Sequence, residues 1–497
     1  MAEKLTNEQQ AAVDSRERSL LVSAAAGSGK TKVLVERLFS YVEREGANLD
    51  DFLIITYTRA AASELRGKIA KALTERMERD PGNYHLRQQM LRVYRADIKT
   101  VDAFCTALLR ENCHLLGEDA RGHALRPDFR VLDENEAQVL RERVLARTLD
   151  DFYDCLTPGG TLLADTLGAG RDDSALEDLV LELHAKLQAQ PYEDKWLEAQ
   201  RAFWRAVPDK IEDTPYGKIL LNEVRRKARH CKNLLQRAAQ EMCANDALNQ
   251  KYAPAFLDAS YQLEALEGKT AEGWDAARGV TIAFPRLAAV KDSDGGEMKA
   301  RMKSLWDNCK ETVKGFAEIF SASSDEAVED LRTMASAMLA LIDLTADFSR
   351  RYNEEKRRRN SADFSDQEHE AIRLLIGEDG APTELARIVS ARYREIMVDE
   401  YQDTNEVQNR IFDAISCKGE NLFTVGDVKQ SIYRFRLADP RIFLQHYNTW
   451  PPLEDAEEHD SAKLLLSRNF RSRKEVLDAT NFIFCNILSE EMGELDY

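Results

Sequence analysis

Short apolar runs alternate with amphipathic helical patterns at both ends of the chain. Runs typical of buried strands occur at 19–24, 52–57, 98–101, 395–399, 422–426 and 463–466. Each run is followed by a segment whose apolar residues repeat with helical spacing. Strands that alternate with helices predict an α/β fold with a parallel sheet covered on both faces.

The middle of the chain has a different pattern, because about 250 residues carry almost no strand signal. Asp133-x-x-Glu136 and Ser174-x-x-Glu177 are typical of capping boxes, and each opens an apolar run with helical periodicity. We therefore expect an all-helical insertion at 110–360 within one α/β domain formed by residues 1–109 and 361–450.

Composition and charge narrow the class of protein. A chain of 497 residues is too long for one core, so about two to four domains are expected. No apolar run reaches the length of a membrane span, and the eight cysteines are scattered singly, which predicts a cytoplasmic protein without a zinc or iron–sulfur site. The net charge of -18 argues against coating nucleic acid by bulk electrostatics but allows a local basic channel. The basic clusters at 225–229 and 356–359 are interpreted as solvated helix faces.

A loop of small residues follows the first apolar run and precedes a helical pattern. It consists of Ala24, Ala25, Ala26, Gly27, Ser28, Gly29, Lys30 and Thr31. Strand, loop and helix start in this order favour a phosphate-binding loop, in which backbone N–H groups and the helix dipole face an anion. Lys30 would reach the β- and γ-phosphates of a nucleotide, and the Thr31 hydroxyl would bind Mg²⁺. Ala24 stands where the usual pattern has glycine, and a glycine-rich turn that caps an ordinary helix is the alternative.

Two further segments offer partners for such a loop. Asp399 and Glu400 end an apolar run, which places them at the carboxyl edge of the predicted sheet, where one acid can hold Mg²⁺ and the other can orient water. The alternative is a strand followed by an N-cap aspartate. After the run at 422–426, Gln430 is placed to sense a γ-phosphate. Tyr433 and Phe435 beside Arg436 either stack on bases or belong to the core.

These segments, with others in the same order, resemble the motifs of superfamily 1 DNA helicases of the UvrD/PcrA/Rep type. Within that group the chain is most similar to the N-terminal part of AddA-type helicase–nucleases. The segments that carry the resemblance are 5–13, 22–31, 54–66, 99–105, 363–366, 398–404, 426–436 and 466–472.

The resemblance implies a role for each matching residue. Lys30, Asp399, Glu400, Gln430 and Arg471 would act in catalysis, with Thr31 and Asp399 on the metal. Nucleotide contacts are implied for residues 24–31 and for Gln9, Lys32, Arg66 and Phe470. DNA contacts are implied for Tyr57, Thr100, Phe435 and Arg436. Gln9 also completes a capping box with Thr6, and Ser365-x-x-Glu368 is interpreted as the capping box of the helix through Leu375. Asp102 stands where the family usually has histidine, which weakens the expected DNA contact there.

The resemblance further implies a RecA-like P-loop NTPase fold in which residues 451–497 begin a second RecA-like domain. The expected activity is 3′–5′ DNA translocation and unwinding driven by ATP with Mg²⁺, within a helicase–nuclease for double-strand break repair and recombination. Expected partners are single-stranded DNA, the duplex ahead of it and an AddB/RexB-like protein in a heterodimer, with no membrane. Later helicase motifs do not occur, so we expect a piece of a longer protein that is weak or inactive alone. The alternatives are a UvrD-like repair helicase without a nuclease and a non-catalytic DNA-binding scaffold.

Overall fold

The computed structural model describes residues 5–118, 121–167, 174–416, 419–432 and 438–488. The chain divides into two compact units. The first unit lies within residues 1–155, 167–197 and 343–483, and the second within 156–166, 198–342 and 484–497.

All six predicted strands form, and they belong to one parallel sheet of the first unit. The strands of the structure are β1 (Leu20–Ala24), β2 (Phe52–Thr56), β3 (Asp97–Thr100), β4 (Arg130–Val131), β5 (Ser361–Ala362), β6 (Glu395–Val398), β7 (Leu422–Gly426) and β8 (Ala462–Leu466). The sheet has the order β3-β2-β6-β7-β1-β8, and β4 pairs with β5 separately. In the register of the sheet, Val22 on β1 lies opposite Val425 on β7 and Leu464 on β8.

Helices connect these strands and fill the remaining segments. They are α1 (Asn7–Asp14), α2 (Lys30–Arg44), α3 (Arg59–Arg79), α4 (Tyr84–Arg92), α5 (Val101–Asn112), α6 (Glu134–Asp154), α7 (Pro158–Leu167), α8 (Ser174–Gln188), α9 (Glu193–Arg205), α10 (Pro215–Met242), α11 (Asp246–Lys251), α12 (Ala253–Lys269), α13 (Trp274–Arg278), α14 (Asp292–Ile319), α15 (Ser324–Arg358), α16 (Phe364–Leu375), α17 (Glu384–Arg392), α18 (Glu406–Ile415), α19 (Pro440–Thr449) and α20 (Lys474–Ile487). Short 3-10 helices occur at Leu49–Asp51, Cys113–Leu115, Ile211–Asp213, Tyr401–Asp403 and Val428–Gln430.

The sheet is buried on both faces, as the sequence predicts. Leu53 and Ile55 of β2 pack into one apolar cluster, whereas Phe52 and Ile54 pack into another. Because successive strand side chains point to opposite faces, the two clusters lie on the two sides of the sheet. This arrangement confirms an α/β fold with a parallel sheet, and it leaves the ends of the strands as the accessible edges.

Capping explains where several helices begin. The predicted boxes Thr6–Gln9 and Asp133–Glu136 are both present. The box predicted at Ser365 and Glu368 is wrong, because Asp363 is the N-cap of α16 and forms the box with Asp366. Asp363 has extended backbone angles whereas Ser365 is already within the helix, so only the aspartate can cap it.

Charge burial also differs from the sequence-based expectation at one of the basic clusters. Lys356 is not part of a solvated face, since its side chain is 1% exposed. Its ammonium lies 2.9 Å from Asp363 and 2.7 Å from Asp366. Two carboxylates therefore compensate the charge of this buried lysine and join the end of α15 to the start of α16.

In the second unit the described residues are helical or irregular, and they contain no strand. Its core packs α10, α12 and α14 around large apolar side chains, including Phe256 and Trp306, whose ring centroids are 4.8 Å apart. No helix in the described part of the chain combines the length and apolar character needed to cross a membrane. The boundaries of the predicted insertion, and of a second RecA-like domain from residue 451, stay predictions. β8 lies after that boundary and pairs with β1.

Candidate nucleotide-binding site

The segments singled out by the sequence follow the carboxyl ends of neighbouring parallel strands. The loop at 25–29 follows β1, Asp399 and Glu400 follow β6, Asp427 follows β7, and residues 467–472 follow β8. Carboxyl ends of parallel strands share one edge of the sheet, which is where open α/β sheets bind ligands. The fold therefore gathers at one edge residues that are hundreds of positions apart in the sequence.

The loop after β1 has the backbone geometry of an anion-binding turn. Gly27 and Gly29 have φ values of 73° and 88°, in the left-handed region that glycine tolerates. Gly29 caps α2 without a side chain, so the first N–H groups of the helix remain open toward the loop. The Ser28 hydroxyl is buried and has no hydrogen-bond partner in the described structure. An oxyanion at the loop would satisfy both sets of donors.

The segment after β8 lies directly against this loop. The Asn469 side chain donates to the carbonyl of Ala26 across 2.6 Å, and the Phe470 amide donates to the carbonyl of Gly27 across 2.9 Å. Asn469 also accepts from the backbone N–H of Arg471 at 2.8 Å. The structure thus brings Phe470 and Arg471 to the loop, and the Phe470 ring remains 49% exposed for stacking.

Gln9 contacts the loop from α1. Its Oε1 accepts from the Thr6 amide at 3.1 Å, and its Nε2 donates to the Ser28 carbonyl at 2.9 Å. The capping alternative is therefore correct, and the same side chain also reaches the loop. Its proposed contact with adenine stays a prediction.

A lysine–glutamate pair connects the loop to the acidic segment. The Lys30 ammonium lies 2.7 Å from Glu400 Oε2. Glu400 has a φ of 54°, a left-handed conformation that is uncommon for glutamate. Its amide donates to Asp399 Oδ1 at 3.0 Å. The turn after β6 thus presents both carboxylates at the edge that the loop occupies.

The carboxylates beside Lys30 are short of positive charge. Burial, together with the Glu400 charge, raises the pKa of Asp399 to about 6 and that of Asp403 to about 6. Asp403 Oδ1 is buried without a hydrogen-bond partner in the described structure. Carboxylate and hydroxyl oxygens are the ligands that hard divalent cations prefer. Asp399, together with Thr31 at the start of α2, therefore fits a divalent cation such as Mg²⁺.

Sequence reasoning missed Gln402 and Asp427. The Gln402 side chain donates to Glu400 and accepts from the Asp427 amide, both at 2.9 Å. The predicted sensor Gln430 donates to Asp427 Oδ2 at 2.7 Å. The available signal was the density of amide and carboxylate groups in 399–403, but their pairing across two strands could not be inferred from spacing.

Other predicted residues have structural contacts away from the loop. Arg66 donates to the carbonyls of Val93, Ala96 and Ile98. Thr100 is buried and caps α5. The Tyr57 hydroxyl shares a hydrogen bond with Thr404. Lys32 lies in the first turn of α2. Tyr433, Phe435 and Arg436 lie outside the described residues, so their DNA contacts stay predictions.

A phosphate-binding loop after β1 and an acidic pair after β6 define a nucleotide-binding site of the P-loop type. Comparison with known families agrees, because the model of the UvrD/REP helicase N-terminal domain matches residues 5–451. The chain belongs to the UvrD/REP helicase family.

Curated relatives carry a more specific name, that of the AddA-type component of an ATP-dependent helicase/nuclease. The chain is 35% identical over 514 residues to such a protein of Ruminiclostridium cellulolyticum, covering 99% of this chain and 40% of that protein. It is 36% identical over 516 residues to the protein of the same name in Acetivibrio thermocellus, with the same coverage. It is 37% identical over 525 residues to that of Desulfitobacterium hafniense, covering 99% of this chain and 37% of the relative. The chain thus spans about two fifths of the length of these relatives.

Proposed function

We propose that this chain carries the ATP-binding motor of an ATP-dependent DNA helicase. In this proposal residues 1–109 and 361–450 form a RecA-like domain, 110–360 are a helical insertion, and 451–497 begin the second RecA-like domain. The single observation that carries the proposal is the pair Lys30–Glu400, 2.7 Å apart at the shared edge of the sheet. A lysine at a helix start opposite an acid at a strand end is the arrangement that NTP hydrolysis requires.

Each residue of the pair has a role when nucleotide binds. Lys30 would leave Glu400 for the β- and γ-phosphates, and the freed Glu400 carboxylate would orient the attacking water and accept its proton. Arg471, held beside the loop through Asn469, would approach the γ-phosphate from the other side of the cleft. Phe470 would stack on the adenine, and Gln430 would respond to the γ-phosphate.

Thr31 and Asp399 would hold the divalent cation, for which Mg²⁺ is the proposed ion. When bound, it would neutralise charge on the phosphate oxygens. The raised pKa of Asp399 is consistent with this assignment, since a carboxylate that lacks a cationic partner is ready to receive one.

The DNA-directed part of the proposal rests on the family and the names of the relatives. Those names describe one component of a helicase/nuclease, which supports a DNA substrate and a second protein in the complex. The proposed partner is AddB/RexB-like, and the proposed role is double-strand break repair and recombination. Translocation would run 3′ to 5′ on one strand, with Tyr57 and Thr100 beside the track and Phe435 and Arg436 completing it.

The test begins with binding of a non-hydrolysable ATP analogue and Mg²⁺ to the wild type and to Lys30→Ala. Lys71→Ala is the matched control, because Lys71 is exposed on α3. We expect binding by the wild type and by Lys71→Ala, and a loss of about tenfold or more in Lys30→Ala, since a charge-assisted contact is removed. Equal binding by all three proteins would contradict the role of Lys30.

DNA dependence is measured on the full-length protein in complex with its partner. We expect single-stranded DNA to stimulate ATP hydrolysis, and a duplex with a 3′ overhang to be unwound in preference to one with a 5′ overhang. Hydrolysis without strand separation on either substrate would argue for a non-helicase ATPase, and the opposite preference would reverse the proposed polarity.

A further inference from the structure

Gln402 is a buried amide at the centre of the acidic segment. It lies in the 3-10 helix Tyr401–Asp403 that follows β6, and it is 2% exposed. A buried carboxamide must have its hydrogen bonds satisfied, and the partners it selects determine what it connects. None of the roles described above uses this side chain.

The two ends of the carboxamide contact two different strand ends. Nε2 donates to Glu400 Oε2 at 2.9 Å, and Oε1 accepts from the backbone N–H of Asp427 at 2.9 Å. The backbone carbonyl of Gln402 also accepts from the Ser431 hydroxyl at 3.2 Å. The residue therefore joins the turn after β6 to the loop after β7 through three hydrogen bonds.

The loop after β7 continues the chain of contacts. Asp427 is 3% exposed, and its carboxylate accepts from the Lys429 amide at 3.2 Å and from Gln430 Nε2 at 2.7 Å. Hydrogen bonds consequently run without interruption from Lys30 through Glu400, Gln402 and Asp427 to Gln430. Members of such a chain polarise and position one another.

The backbone beside this contact leaves no room for another arrangement. A Cβ atom added at Gly426 would collide with Gln402 Oε1, and it would lie 3.1 Å from the Gln402 amide nitrogen. The carboxamide is planar, so any rotation that moves Nε2 away from Glu400 also moves Oε1 away from the Asp427 amide. The two contacts are thus made or broken together.

We propose that Gln402 is a positioning residue that couples the state of Glu400 to the loop at 427–431. This inference rests on the proposed function, because it requires that nucleotide draws Lys30 away from Glu400. Glu400 Oε2 now accepts from both Lys30 and Gln402. After Lys30 departs, the Gln402 amide is the contact that holds the carboxylate, and the altered Glu400 position is passed to Asp427 and Gln430.

The test compares Gln402→Glu with Gln408→Glu. The first variant keeps an acceptor for the Asp427 amide, removes the donor to Glu400 and places a like charge beside it. Gln408 is the matched control, since its Nε2 donates to another glutamate, Glu368 Oε1, at 2.7 Å on α18. Gln402→Met is a second variant, of similar length, that removes both hydrogen bonds of the side chain.

Two measurements separate positioning from folding. The first is DNA-stimulated ATPase of the full-length protein, where Gln402→Glu should lower kcat by about tenfold to hundredfold with KM changed by less than about threefold. The second is amide hydrogen exchange at 427–431 with and without a non-hydrolysable ATP analogue. The wild type and Gln408→Glu should show a nucleotide-dependent change there, and Gln402→Met should lose it while still binding nucleotide.

The outcomes are distinguishable from failure of the proposed function. Wild-type protein that neither binds nor hydrolyses ATP would overturn the proposed function and this inference with it. Active wild type together with a fully active Gln402→Glu would overturn the inference alone. A nucleotide-dependent exchange change that persists at 427–431 in Gln402→Met would do the same.

Discussion

Lys30 Nζ lies 2.7 Å from Glu400 Oε2, although 370 positions separate the two residues in the sequence. The pair is partly shielded, with the lysine side chain 12% and the glutamate side chain 44% exposed. A lysine held by its catalytic neighbour is neutralised until a stronger anion displaces the carboxylate. This relationship gives the first prediction.

Replacing Glu400 by glutamine should separate nucleotide binding from hydrolysis. The amide preserves the shape of the side chain but cannot accept a proton, so we expect DNA-stimulated ATPase of the full-length protein to fall about a hundredfold or more. Binding of a non-hydrolysable analogue should persist. Glu406→Gln is the control, because Glu406 pairs only with Arg410 at the surface in the described structure. Wild-type turnover by Glu400→Gln would remove Glu400 from the catalytic residues.

The buried ion pair of Arg37 and Glu395 should be important for stability. Arg37 on α2 donates to both Glu395 oxygens at the start of β6, and the arginine side chain has no exposed surface. Arg37→Met should lower the free energy of unfolding by about 3–5 kcal/mol, because Glu395 is left charged and unpaired. Urea denaturation measures this change.

Two comparisons check that cause. Adding Glu395→Gln to Arg37→Met removes the orphaned charge, so the double variant should recover much of the lost stability. Asp14→Asn breaks the exposed pair with Arg44 and should cost less than about 1 kcal/mol. A double variant that is less stable than Arg37→Met would show that lost packing, rather than unpaired charge, dominates.

Glycine at position 27 should be required for the loop in a way that Gly46 is not required for its turn. Both have left-handed φ angles, 73° and 68°, so alanine strains either site by about 1–2 kcal/mol. A Cβ at 27 would also lie 2.9 Å from Arg471 Cβ and from the Asn469 amide, whereas one at 46 meets nothing within 4 Å.

We therefore expect Gly27→Ala to weaken binding of an ATP analogue and Gly46→Ala to leave it unchanged, with similar backbone strain in both. Isothermal titration with Mg²⁺ and the analogue measures the two affinities. If Gly27→Ala bound as well as the wild type, the contact of the 469–471 segment with the loop would have no part in nucleotide binding.

Glu368 should make stability depend on pH. Burial, with a smaller contribution from the Asp102 charge, raises the pKa of Glu368 to about 7 from an ordinary value of 4.5. The folded state thus favours the neutral acid. Its contribution to stability is fully present below pH 4.5, falls as pH rises, and is lost above about pH 7.

Glu368→Gln should remove this dependence. Between pH 5 and pH 8 the wild type should lose about 2–3 kcal/mol of unfolding free energy relative to the variant. Denaturant titrations of both proteins at the two pH values measure the difference. Identical pH dependence in the two proteins would show that Glu368 titrates normally in the folded state.

The sequence by itself determined the elements and most of the site. Local apolar runs of about five residues were sufficient for all six strands, since their burial on both faces needs only hydrophobic side chains. The loop at 24–31 and the acids at 399 and 400 were recognisable because phosphate and metal chemistry constrain residue type at fixed local spacing. The capping error at Ser365 arose because Asp363 offers the same local chemistry two residues earlier.

Only the tertiary structure decided which distant groups meet. The strand order places the turn after β6 beside the loop after β7, and from this follow the contacts of Gln402 with Glu400 and Asp427. The contact of Asn469 with the phosphate loop likewise requires that β8 pairs with β1. Such contacts depend on the register of strands far apart in the chain, and hydrophobic patterning specifies that a strand is buried without specifying its neighbour.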